Sequence, residues 1–280
     1  MRSSPSRSGI ERSAQQILHH YRVERELADR LRHATAEERI QLYGQVYDEL
    51  FRRVPDHPQL YRKKNDDAVR AGTALALLSP FLHRDATFLE VGAGDCAVSF
   101  AVAQRVAKVY AIDVSEVVTA SADRPANFEL RLSDGRSIPV PPASVDIAYS
   151  NQLIEHLHPD DALAQTRNIL QALRPGGAYL CSTPHPYTGP HDISFHFDVE
   201  ATGLHLKEYR YGELADLFRA AGFSRLGLLA GGRGHYRQFS LRPALTIESA
   251  LATLPRQVRR WLAGHLPLRL PMSAHVIAWR

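Results

Sequence analysis

The segment Phe88-Leu89-Glu90-Val91-Gly92-Ala93-Gly94-Asp95-Cys96 constrains this chain more than any other. It is an apolar strand that runs into a glycine turn. Without a Cβ, Gly92 and Gly94 let the backbone turn sharply and approach a ligand closely. A second apolar run ends in Ile112-Asp113, and Asp113 stands 21 residues past Gly92. That is about where a nucleotide-binding unit sets a carboxylate against ribose hydroxyls. The residues predict an adenosine-type ligand. Gly92-x-Gly94-x-x-Ala97 also fits the dinucleotide pattern of dehydrogenases, so the turn alone leaves two ligand classes open.

The surrounding pattern predicts an α/β fold. Short apolar runs at Thr87–Val91, Val109–Ile112, Phe128–Leu132, Val145–Ser150, Ala178–Ser182, Phe223–Ala230 and His275–Trp279 read as seven buried strands. Helical stretches at Asp95–Ala107, Ser115–Ser121, Pro159–Leu173 and Tyr211–Ala221 fall between them, which predicts a doubly wound, Rossmann-like sheet with helices on both faces. A helical extension precedes the sheet. Ile17, Tyr21, Leu27 and Leu31, then Ile40, Tyr43, Tyr47, Leu50 and Phe51, recur at helical spacing. Thr35 with Glu38 forms a capping-box start, Pro55-Asp56-His57-Pro58 a stop, and a third helix is expected from about Asn65 to Leu82. The expected organisation is a disordered leader over 1–9, a helical lid or dimerisation surface over 10–82, and one α/β domain over 83–280. Two insertions interrupt that domain. The one at 183–206 is rich in Pro, His, Gly and Asp, and the one at 231–272 is expected to hold one or two helices.

Composition narrows the partners. Cys96 and Cys181 are too few and too far apart in sequence for a disulfide framework or zinc knuckle, so a reducing cytoplasm is the expected compartment. No stretch approaches the roughly 18 consecutive apolar residues of a membrane span. The net charge of +4 is spread along the chain, which predicts no specific nucleic-acid partner. The densest basic stretch, 256–269, interleaves Arg with Val258, Trp261 and Leu262 and is expected to pack on its own domain.

Downstream segments separate the two ligand classes. Ser133-Asp134-Gly135 follows the third strand, and Asn151 ends the fourth. Leu153-Ile154-Glu155-His156-Leu157 comes next, then the turn Leu173-Arg174-Pro175-Gly176-Gly177. In this order, over roughly Phe81 to Phe223, the chain resembles the class I S-adenosylmethionine-dependent methyltransferases, most closely their small-molecule branch. The third glycine of the usual turn is replaced by Cys96. The resemblance implies S-adenosylmethionine as cofactor, with Gly92 and Gly94 beneath its methionine and ribose and Glu90 near the ammonium. It also implies Asp113, with Val114 beside it, on the ribose hydroxyls, Asp134 and Gly135 at the adenine, and Asn151 beside the methionine carboxylate or the methyl group.

The expected activity is methyl transfer to a small molecule or glycan, most readily at oxygen, with a histidine as general base. The candidates are His156, His185, His191 and His196, all after strands four and five. The irregular spacing of His185, His191 and His196 with Asp192 and Asp198 predicts no metal centre. His205-Leu206-Lys207-Glu208-Tyr209 reads as a loop anchor. The alternatives are N- or C-methylation of a natural product, a nicotinamide-dependent oxidoreductase, and a non-catalytic cofactor-binding regulator. Asn151-Gln152-Leu153-Ile154 lacks the Pro-Pro-aromatic sequence used in nucleobase amino methylation.

Overall fold

A computed structural model of the 280-residue chain describes residues 12–61, 64–115, 124–232, 234–265 and 273–280. The expected leader over 1–9, residues 116–121 of an expected helix, and the end of the basic stretch at 266–269 lie outside them.

Among the described residues three α-helices precede the sheet: α1 (Ala14–His33), α2 (Ala36–Arg53) and α3 (Lys64–Leu78). Reciprocal capping boxes, Ser13 with Gln16 and Thr35 with Glu38, start the first two by satisfying amides that have no partner within the helix. Strand and helix then alternate: β1 (Thr87–Val91), α4 (Ala97–Ala103), β2 (Lys108–Asp113), β3 (Phe128–Leu132), β4 (Val145–Asn151), α5 (Pro159–Ala172), β5 (Leu173–Pro184), α6 (Tyr211–Ala221), β6 (Arg225–Gly232), β7 (His235–Ser240), α7 (Arg242–Ala252), α8 (Arg256–His265) and β8 (Ser273–Trp279).

Among the described residues the sheet has eight strands, not the seven expected, in the order β3-β2-β1-β4-β5-β8-β6-β7. The first five in that row pair in parallel, and β8 enters antiparallel between β5 and β6. The unexpected strand, β7, is the antiparallel outer arm of a hairpin with β6. Its sequence, HYRQFS, is almost wholly exposed. An edge strand with both faces near water has no need of the apolar alternation by which strands are read. The 231–272 insertion therefore holds a strand as well as the expected helices α7 and α8. β5 also begins earlier than expected and takes in the Arg-Pro-Gly-Gly turn.

Alternate residues of each strand feed two cores. Phe88, Ile147, Leu180 and Ile277 pack with Leu77, Leu78, Val98 and Val102 of α3 and α4. On the other face, Leu89, Val91, Ala148 and Val276 pack with Leu27, Leu31, Leu50, Leu214 and Phe218 of α1, α2 and α6. Burying each such Leu contributes about 1.5–3 kcal/mol of transfer free energy. The helical extension is thus split: α3 covers one face, and α1 with α2 belongs to the other.

Candidate active site

The expected cofactor residues gather along one edge of the sheet because β3, β2, β1 and β4 are neighbours and end together. Gly92 and Gly94 adopt positive φ of 74° and 52°, the left-handed region that glycine enters without strain. The turn is stitched to β2: the Gly92 and Ala93 amides donate to Ile112 O, and the Gly94 amide donates to Asp113 Oδ2 at 2.7 Å. Asp113 Oδ1 accepts from the amides of Val114 and Ser115. Burial raises the Asp113 carboxyl above its ordinary range, while these three amides favour its ionised form. At the third position of the turn, Cys96 sits at φ 58°, fully buried, at the start of α4.

Glu90 points to the α4 side and accepts from Ser99 Oγ at 2.6 Å. Burial pushes its carboxyl up to about 7, against the pull of Ser99 and the Arg70 guanidinium. Arg70, on α3, reaches Asp67 and Asp95. No motif singled it out in the sequence, because it lies on a helix that only the fold brings beside the glycine turn. Asp134 caps its own turn, with Oδ1 accepting from the amides of Arg136 and Ser137. Burial raises the Asp134 carboxyl, but these amides outweigh it and the net shift is downward. Gly135, at φ 84°, leaves room for an aromatic ring, and the ring found there is Tyr43 of α2: a Cβ on Gly135 would lie 2.8 Å from Tyr43 Cδ2. One residue on from Tyr43, Gly44 faces Val114 O. α2 therefore crosses the ends of β2 and β3. Asn151 ends β4 in register with Ser182, and the next residue, Gln152, is held at φ 53°.

These residues fit S-adenosylmethionine. A Cβ built on Gly94 meets nothing within 4 Å, so the turn presents open space at the point where a ligand would approach. Asp113 and Asp134 bring carboxylates to the ends of adjacent strands, as an adenosine moiety requires.

The histidines separate into different surroundings. His185 is fully buried. Its Nε2 pairs with Glu248 Oε2 at 3.0 Å, and its Nδ1 accepts from the Tyr187 amide. Glu248 also accepts from the amides of Tyr211 and Gly212 at the start of α6, so His185 belongs to a helix-anchoring network. His191 spends both ring nitrogens, on Glu208 Oε2 and Thr188 Oγ1. His196 lies in a short 3-10 turn, Ile193–His196, packed edge-on against Phe195 and Phe197. His156 is in a 3-10 turn after β4 and places Nδ1 2.9 Å from Leu204 O. Burial lowers its pKa to about 3, so the ring is neutral. Around it stand Tyr47 of α2 and His205, with ring centroids 6.1 and 4.8 Å away. Beside it Glu155 is 0 % exposed and accepts from Thr183 Oγ1 at 2.8 Å; burial raises its carboxyl. His205 is also buried. Burial lowers its pKa, but Glu208 and the charges of Glu155 and Asp192 outweigh this and hold it at about 9. The 205–209 segment, expected only as an anchor, thus delivers His205 to the wall formed by Glu155 and His156.

The helical extension closes on this wall. Tyr21 donates to Asp198 Oδ2 at 2.7 Å and stacks on Phe197. Arg32 donates to the carbonyls of Thr202 and Gly203, and the Leu204 amide donates to Glu24. Tyr43 donates to Asp161 Oδ2 and accepts from the His158 amide. Asp161 also receives both Nε and Nη2 of Arg39.

The fold and the glycine turn define a class of protein, and comparison with known sequences agrees. Residues 88–177 match a family described as a methyltransferase domain. Over this segment the chain is similar to S-adenosylmethionine-dependent methyltransferases, whose cofactor is S-adenosylmethionine. It is 32% identical over 136 residues to a probable S-adenosylmethionine-dependent methyltransferase of Mycolicibacterium smegmatis, covering 48% of this chain and 51% of the relative. It is 35% identical over 106 residues to a malonyl-[acyl-carrier protein] O-methyltransferase of Xylella fastidiosa, covering 36% of this chain and 35% of the relative. Among solved structures, phosphoethanolamine N-methyltransferase 1 of Haemonchus contortus, in complex with phosphoethanolamine and S-adenosylhomocysteine, superposes with a TM-score of 0.51 at 17% identity; the match covers 65% of this chain and 41% of that one. That likeness is one of fold. The chain spans about half the length or less of the curated relatives it matches.

Proposed function

We propose that the protein transfers a methyl group from S-adenosylmethionine to a hydroxyl oxygen of a small molecule or glycan. The observation that carries this reading is the placement at one sheet edge of the glycine turn, open at Gly94 and packed on Leu153 at Gly92, near the wall of Glu155, His156 and His205. When bound, the cofactor supplies a sulfonium methyl already activated toward attack. Gly94 makes room for it, Gly92 lets the turn close over Leu153, and Asp113 offers lone pairs to the ribose hydroxyls. Asp134 with Gly135 borders the adenine. Glu90 serves the ammonium end, and Asn151 lies toward the methyl group.

The acceptor enters on the side covered by α1, α2 and the 185–206 segment. As its oxygen forms the bond to carbon, the hydroxyl proton must leave. His156 is placed for that step by geometry: Nδ1 is engaged by Leu204 O, which leaves the Nε2 lone pair to accept a proton. A bound acceptor would have to raise its basicity from the burial-lowered value. Oxygen as the target also draws support from the O-methyltransferase of Xylella fastidiosa, which matches a third of this chain.

The test is calorimetric and then kinetic. S-adenosylhomocysteine should bind saturably, and a panel of hydroxylated small molecules and glycans should yield an O-methylated product. His156→Gln should lower kcat by roughly 10²–10⁴-fold while S-adenosylhomocysteine affinity holds. Absence of S-adenosylhomocysteine binding, or product methylated only at nitrogen or carbon, would overturn the proposal.

A further inference from the structure

We infer that Glu155, His156 and His205 form a binding site for a divalent transition-metal cation. Resting on the methyl transfer proposed above, the cation would hold the acceptor oxygen. The three side chains offer ligand atoms that all lie within 4.8 Å of one another. Glu155 is 0 % exposed, and its Oε1 has no hydrogen-bond partner among the described residues, while Oε2 takes Thr183. A buried carboxylate oxygen left unpaired is costly, and such costs persist where a ligand relieves them.

The tautomers point the same way. Leu204 O can only accept, so His156 Nδ1 carries the proton in its 2.9 Å contact and Nε2 keeps a lone pair. His205 Nδ1 lies 2.9 Å from Glu208 Oε1, another acceptor, so its Nε2 is left in the same condition when the ring is neutral. A backbone carbonyl on one imidazole and a carboxylate on the other are the partners that orient metal-binding histidines and raise their basicity.

A second cluster shows what the opposite arrangement looks like. His20, Glu24 and His57 also approach within 4.8 Å. There the Arg12 guanidinium, which can only donate, lies 3.0 Å from His20 Nδ1, and the Gln59 amide donates to His57 Nδ1. Both rings therefore carry their proton on Nε2. Glu24 accepts it from His20 at 2.7 Å, and the carboxylate is satisfied further by the Leu204 amide. That cluster closes on itself as a structural knot between α1 and the 202–205 segment. The cluster at Glu155 stays open.

Two imidazoles and one carboxylate suit Mn(II), Fe(II) or Zn(II) better than calcium or magnesium, and three protein ligands leave positions for an acceptor oxygen. A hydroxyl bound there becomes more acidic and releases its proton to solvent water as its oxygen takes the methyl group. His156 then serves as a ligand in place of its role as a free base.

The experiment uses the full chain stripped with EDTA and titrated with Mn(II), followed by calorimetry and by loss of the free-ion paramagnetic resonance signal. One ion should bind per chain. Glu155→Gln and His205→Asn should weaken binding at least ~10-fold, Glu208→Gln by roughly 10-fold through the orienting contact, and His20→Gln by nothing measurable. Saturable binding that survives Glu155→Gln and His205→Asn would overturn the inference, as would absence of binding by Mn(II) and Zn(II). S-adenosylhomocysteine affinity, measured on the same samples, reports folding and the methyl-donor site separately. Metal-free protein that binds S-adenosylhomocysteine and turns over fully would sink the cation and leave the methyl transfer standing.

Discussion

The Tyr43 ring fills the space that a side chain on Gly135 would need, with Cδ2 2.8 Å from the ideal Cβ position. A residue of the helical extension is thereby fitted into the loop after β3, the one proposed to border adenine. Gly135→Ala should destabilise the protein by roughly 2–3 kcal/mol, through the clash and the positive φ of 84°. Tyr43→Ala removes a buried aromatic and should cost about 3–5 kcal/mol. In the double variant the two losses should add to less than their sum, by at least ~0.5 kcal/mol, because the clash disappears with the ring. Urea unfolding of the four proteins measures this.

Arg39 and Asp161 join α2 to α5 through a buried, two-pronged ion pair that Tyr43 shares. Removing one partner leaves the other charge buried. Arg39→Ala should therefore cost about 3–5 kcal/mol, and replacing both residues with apolar ones of similar size should recover most of it. Thermal unfolding with a concurrent S-adenosylhomocysteine titration would show whether loosening α2 also weakens cofactor retention.

Glu90 carries a cost that depends on pH. Its carboxyl titrates near 7 in the folded chain, against 4.5 ordinarily, because burial disfavours the charge. Between those values the folded state binds more protons than the unfolded state, so this group's contribution to stability falls as pH rises from 4.5 to about 7 and is level above that. Glu90→Gln keeps an acceptor for Ser99 and should remove this slope. The gain at pH 8 should be up to about 3 kcal/mol, and cofactor affinity should fall if the charge serves the ammonium. Denaturant midpoints of both proteins from pH 5 to 8 test the first part, and calorimetry at pH 8 tests the second.

Asp113 accepts from the Gly94 amide of the glycine turn and from the Val114 and Ser115 amides after β2, and it is the residue proposed to meet the ribose. Asp113→Ala should abolish measurable S-adenosylhomocysteine binding. Asp113→Asn should retain part of the fold but lose at least ~10-fold in affinity, since a charged acceptor is exchanged for a neutral one. Equal affinity in wild type and Asp113→Ala would remove this residue from the site.

Much of the frame was legible in the chain. Parallel strands buried on both faces are largely apolar runs, and Thr87–Val91 and Val145–Ser150 were readable on that ground, whereas β3, at the sheet edge, is only half-buried. That the glycine turn, Asp113 and Asp134 stand at strand ends was legible because local backbone demands restrict which residues can follow a strand. β7 was not, since an exposed edge strand carries no apolar period.

Local sequence thus determined most of the strands and the turns that follow them, through interactions between near neighbours. Only tertiary structure decided among the histidines. Its packing turned His185 toward Glu248, 63 positions away, and bound His191 to Glu208. It brought His205 beside Glu155 and His156 across some fifty residues of chain. A histidine's chemistry depends on which nitrogen holds the proton and what faces the other, and long-range partners set both.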